Sequence, residues 1–113
     1  MKEINIDGVI YVEKHTQSNR SIIRTQNAGV FFAEVELTIP HENGKAKLVN
    51  SRRLWFWSGA ASLSQLALEG VKKPNECKFP APLPTQTVFG VIEIIPCTEA
   101  ACKSIDAVKV WQM

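Results

Sequence analysis

Several usual signatures of function are missing from this sequence. Only two histidines, His15 and His41, occur in 113 residues, and neither lies beside a nucleophile motif. Covalent and acid–base catalysis therefore have no local signature, and no enzyme is expected. Cysteine is scarce: Cys77, Cys97 and Cys102 are an odd number, which points to reduced thiols rather than a disulfide framework. With the histidines scattered, no grouped set of metal ligands stands out, and neither metal nor cofactor is expected. No apolar run approaches the roughly 20 residues that span a bilayer. The opening MKEINIDGVIYVEK places acids and turn residues where a signal peptide needs an unbroken apolar segment. No membrane partner and an intracellular setting are the expectation. Neither sign of charge dominates: 13 Lys and Arg against 11 Asp and Glu leave +2. That falls short of the dense basic face expected of a duplex nucleic-acid binder. Phosphate loops of Walker or GxGxxG spacing are also absent.

What is present is ordinary globular material, 45% hydrophobic and 21% charged. Residues 1–113 read as a single domain without repeats or low-complexity tracts. Ile4 and Ile6, then Asp7-Gly8, then Val9 to Val12 predict a short hairpin, since Asp-Gly favours a tight turn. Residues 15–20 read as a loop and 21–25 as a brief strand. Residues 29–39 form the clearest strand: Phe31, Ala33, Val35, Leu37 and Ile39 share one face, with Glu34, Glu36 and Thr38 on the other. Pro40 ends it, and 41–44 reverse the chain. Residues 45–49 return antiparallel, with Ala46 and Leu48 matching the apolar face. RRLWFW, 52–57, continues or re-enters the sheet after a kink at Asn50-Ser51.

One helix is expected over about residues 59–70, with Leu63, Leu66, Ala67 and Gly70 on one stripe. Ser62-Leu63-Ser64-Gln65 has capping-box spacing, and Ser58 is an alternative cap. Pro74 prevents continuation. Four prolines make 73–86 an irregular crossing, with Phe79 and Leu83 packing down. Residues 87–95 read as one central strand bearing Gly90 as a bulge. Residues 96–104 are a turn or one turn of helix, and 105–111 alternate as a closing strand. The fold class is therefore α+β: a mostly antiparallel, curved or barrel-like sheet of about six strands with one α-helix.

The most unusual stretch is RRLWFWSGAASLSQLA, 52–67. As a strand it would place Arg53, Trp55 and Trp57 on one face and Arg52, Leu54 and Phe56 on the other. A guanidinium pairs with phosphate or carboxylate and stacks on aromatics. An indole stacks on a nucleobase, worth about 1–3 kcal/mol. Ser58 and Gly59 lead into a helix start of small residues, where unpaired N–H groups favour an anion. Arg24, beside the Asn27–Gly29 turn, supplies a second charge. The predicted ligand site is thus Arg24, Arg52, Arg53, Trp55, Trp57, Ser58 and Gly59. The competing reading makes the tryptophans core or subunit-interface residues and the small residues a close-packed helix start.

The segments IRTQNAGVFFAEV, NSRRLWFWSGAASLSQLALEG, KKPNECKF and VIEIIPCTEAACKSIDAVKVW resemble a small family of proteins encoded by tailed bacteriophages and prophages, over residues 22–112. The resemblance carries no catalytic residues with it. It implies a phage accessory protein in the cytoplasm of a bacterial host, or one built into the virion. Joined to the Arg-Trp segment, it gives the leading expectation. This is a non-enzymatic homo-oligomer that sequesters a small anionic host immune signal, such as a cyclic or ADP-ribose-type nucleotide. The alternative is a structural or protein-interaction module, a virion component or an inhibitor of a host protein. A nuclease or phosphodiesterase acting on the same ligands is a third reading.

Overall fold

The computed structural model describes residues 3–6, 9–12, 17–36 and 44–112, and side chains from residue 18 onward within those ranges. The chain order is β1 (Glu3–Ile6), β2 (Val9–Val12), β3 (Gln17–Thr25), β4 (Val30–Glu36), β5 (Ala46–Arg53) and α1 (Leu63–Glu69). A 3-10 turn (Pro74–Glu76), β6 (Leu83–Val88), β7 (Val91–Thr98) and α2 (Glu99–Asp106) complete it. Strands β1 and β2 pair as the expected hairpin, with Ile6 opposite Val9. The other five make one antiparallel sheet in the order β6-β5-β4-β3-β7. The architecture is α+β with a sheet-dominated core. The Asp7-Gly8 turn, the 37–43 segment with Leu37, Ile39, Pro40 and His41, and His15 lie outside the described residues.

The sheet order explains its curvature. Strands β6 and β7 are consecutive in sequence, yet they occupy opposite edges. Only Phe89 and Gly90 separate Val88 from Val91, so the two edges must come within about 11 Å at that end. Gly90 makes the turn at φ 73°, and its carbonyl accepts from the Gln26 N–H at 2.8 Å. The edges approach but exchange no ladder bonds, so the sheet is curled and open.

Curling buries both faces. Ile23, Phe31, Ala33, Ala46, Leu48 and Val88 fill the concave side. Ile22, Phe32, Leu54, Cys97 and Phe79 face the helices, with Leu66, Ala67, Ala101, Cys102 and Ile105 opposite them. The expected match of Ala46 and Leu48 to the Phe31–Ala33 face holds. Phe32, which alternation would send to solvent, is buried because the helix layer covers that side.

Several expectations are corrected. The described residues contain two α-helices, not one. The first spans Leu63–Glu69, shorter than 59–70, because Ser62 caps it: the Ser62 hydroxyl accepts from the Gln65 N–H at 3.1 Å. The Gln65 side chain accepts from the Ala61 N–H at 2.8 Å, a capping box displaced by one residue. The second helix starts at Thr98, whose hydroxyl accepts from the Ala101 N–H. It takes residues 105 and 106 out of the expected closing strand, and the remainder contributes one bridge, Phe79 with Val110. The main sheet has five strands rather than about six. Residues 87–95 divide between β6 and β7. Strand β3 begins at Gln17, inside the expected loop. Leu83 is half exposed, while Phe79 is fully buried.

All three cysteines are free and buried. Burial, and then the neighbouring Cys102, push the Cys97 thiol up to about 12. The folded state therefore keeps a proton that the unfolded chain releases near pH 9, its ordinary value. More protons bound in the native state means that stability falls as pH rises. The contribution is complete below about pH 8.5 and is lost toward pH 12. Urea midpoints measured up this range are expected to fall more steeply for the wild type than for Cys97→Val; parallel slopes would contradict this.

Candidate functional site

The RRLWFW segment does not behave as one strand. Strand β5 stops at Arg53, and beyond it only Phe56 bridges, to Lys78. Within β5 there is a bulge: the β4–β5 register shifts between Phe32 and Glu34, and Asn50 sits at φ 51°. Asparagine tolerates that left-handed conformation better than most residues. The kink expected at Asn50-Ser51 is this bulge.

Arg52 and Arg53 point to opposite faces of the sheet, because Arg52 lies opposite Phe32 and Arg53 opposite Phe31. Arg52 is only 6% exposed. Its Nε donates to the Pro80 carbonyl at 3.0 Å and Nη1 to Ile105 at 2.9 Å. Its Nη2 donates to Phe79 at 3.2 Å and Val108 at 2.7 Å. Ile105 and Val108 lie at the end of α2, where carbonyls lack helical partners. The guanidinium thus joins β5, the proline-rich crossing and the end of α2, and burial pushes its pKa below the ordinary value. Four of its five N–H donors are committed to backbone carbonyls, so it is not a free surface group.

Arg53 is exposed, lies over the Phe31 ring at 4.5 Å and donates to the Ala28 carbonyl. Arg24 pairs with Glu93 across the β3–β7 ladder at 3.0 Å. Trp57 packs half-buried against the helix-side core. Ser58 donates to Glu76 at 3.1 Å. Gly59, at φ 88°, receives the Lys72 N–H at its carbonyl. A Cβ on Gly59 would lie 2.6 Å from the Lys72 and Lys73 nitrogens. The small residues before α1 serve this close approach of two backbone segments rather than a phosphate cradle.

Trp55 stands out into solvent, 58% exposed. Its ring centroid lies 4.8 Å from that of Trp111 at 34°. The Lys78 ammonium sits 5.3 Å from the Trp55 ring, 5.6 Å from Trp111 and 5.9 Å from Phe56. Phe56 is itself 50% exposed. The Phe56–Lys78 bridge and the Trp111 N–H donated to the Phe79 carbonyl at 2.9 Å hold these segments side by side. Among the described residues no carboxylate pairs with Lys78. The cation beside the indole is therefore Lys78, not an arginine of the 52–53 pair. Lys78 and Trp111 were missed because they come from distant segments, each read as part of a separate element. Among the described residues no group of three or more His, Cys, Asp or Glu side chains is placed to hold a metal. Nor, among the described residues, is any helix long and apolar enough to cross a membrane.

These features define an α+β domain built on an open, curled antiparallel sheet, with an exposed aromatic–cationic face beside its helix layer. The chain belongs to the family DUF6948, a domain of unknown function, whose model matches residues 18–105. No curated protein and no solved structure matches it.

Proposed function

We propose that this chain is a non-enzymatic interaction domain of a bacteriophage, and that its working surface is the Trp55–Phe56–Lys78–Trp111 face. The exposed Trp55 indole, packed against the half-buried Trp111, carries the reading. Tryptophan and tyrosine dominate the energetics of protein interfaces, and exposing such area on a monomer is costly unless a partner covers it. The two indoles stack on each other, so the space between them is filled and no base can be sandwiched there. Small-ligand sites enclose most of their occupant, whereas this face is open. It suits a macromolecular surface better than a sequestered nucleotide. The unpaired Lys78 ammonium calls for acidic groups on the partner. A second copy docked symmetrically on the same face would bring like ammonium groups together near the axis, so a host or virion protein is the better occupant.

The test is affinity purification of tagged protein from infected cells, followed by titration of the recovered partner as a recombinant protein. Trp55→Ala is expected to weaken binding by tenfold or more, on the order of 1.4 kcal/mol or above. Lys78→Glu should do likewise, with melting temperatures unchanged because both side chains are exposed. Equal binding by both variants would overturn the proposal.

A further inference from the structure

Arg52 carries its charge into the interior with no carboxylate in direct contact; Asp106, already paired with Arg20, acts on it only through space. Among the described residues no carboxylate lies within ion-pair reach of it. Its hydrogen bonds run to neutral carbonyls, which satisfy donors but do not cancel charge. Buried charges are ordinarily paired, because an uncompensated one is costly. The fifth N–H, on Nη1, has no acceptor among the described residues.

The same guanidinium lines a hollow of about 360 Å³ between β5, the crossing and the end of α2. That lies within the range of small-molecule sites. Arg20, Asp106 and Asn50 supply its other polar groups, and Val108 and Val110 part of its apolar wall. Arg20 and Asp106 form a two-pronged ion pair at 2.9 and 2.8 Å and neutralise each other. Arg52 then leaves the hollow with one net positive charge.

We propose that this hollow binds a small monoanion with an apolar body, whose oxyanion takes the free N–H of Arg52 and supplies the missing counter-charge. The Asp106 carboxylate on the same wall sets the charge limit. A dianion such as a phosphate monoester at neutral pH meets one more repulsion than a carboxylate or a phosphodiester does. The apolar wall formed by Val108 and Val110 accepts the body of the ligand. The site is independent of the aromatic face, so either assignment can fail alone.

The experiment is an amide-correlation NMR titration of the intact chain with benzoate, 3′,5′-cyclic AMP and AMP. Benzoate or cyclic AMP is expected to shift the Asn50, Val108 and Val110 amides with a dissociation constant of about 1 mM or tighter. AMP should bind at least several-fold more weakly. Arg52 is left intact, since the fold depends on it. Val110→Glu puts a carboxylate at an exposed position of the hollow and is expected to weaken binding tenfold or more, with its melting curve confirming the fold. Trp55→Ala should leave the titration unchanged. A response to benzoate alone identifies the carboxylate as the source chemistry, and a response to cyclic AMP alone the phosphodiester. No shift with any probe, shifts indifferent to Val110→Glu, or AMP binding as tightly as cyclic AMP would overturn the proposal.

Discussion

Arg52→Leu is expected to remove about 2–4 kcal/mol of stability, because a buried hydrogen-bond network loses its donor. The leucine would fill part of the volume but leave the carbonyls of Pro80 and Val108 without their Arg52 donor, while those of Phe79 and Ile105 keep the Trp111 and Val108 N–H groups. An orphaned buried acceptor costs about 1–3 kcal/mol, and local relaxation toward water recovers part of that. A domain of this size has about 5–15 kcal/mol in total, so the variant should sit near the edge of folding. Arg52→Lys should recover only part of the loss. An ammonium is a point donor and cannot span carbonyls arranged around a planar fork. Urea unfolding of the three proteins measures this directly. A change below about 1 kcal/mol for Arg52→Leu would mean that the guanidinium is dispensable to the fold.

Gly59→Ala is expected to cost about 2–4 kcal/mol, from two separate sources. The left-handed backbone at this position penalises any L side chain by about 1–2 kcal/mol. The added methyl would meet the Lys72 and Lys73 backbone nitrogens at 2.6 Å, and such overpacking typically costs about 1–3 kcal/mol. Backbone cannot rotate away as a side chain would. If Gly59 instead served to admit an anion, the variant would lose ligand but keep its stability. Thermal unfolding with and without phosphate separates the cases, and an unchanged melting temperature would refute the packing role.

The parts of the fold visible in the sequence are those written in short-range chemistry. The Asp-Gly hairpin pairing, the alternation through Phe31, Ala33 and Val35, the Asn50 kink and the Ser62 cap each depend on a few neighbouring residues. The second helix carried local signals too: Thr98 as cap, Glu99 in its first turn and Lys103 in its last. They were outweighed by the alternation of Val108 and Val110 just beyond. Sequence could not reveal which arginine of the 52–53 pair turns inward. That choice is made by carbonyls at Pro80 and Ile105, 28 and 53 residues away. The aromatic face is non-local in the same way. Trp55 stands out in the sequence, but its cation, Lys78, and its stacking partner, Trp111, arrive from distant segments.

The exchange of edges at Phe89–Gly90 has a consequence for how the domain assembles. A tight connection usually lets two strands zip together early; here it parts them. Strand β7 must instead find β3, whose pairing joins Arg24 to Glu93 at a sequence separation of 69. Such distant closures are entropically expensive and slow collapse to milliseconds or longer. On the ribosome, the free margin of β3 would therefore stay bare until β7 had emerged, which makes this an interval of exposure to aggregation.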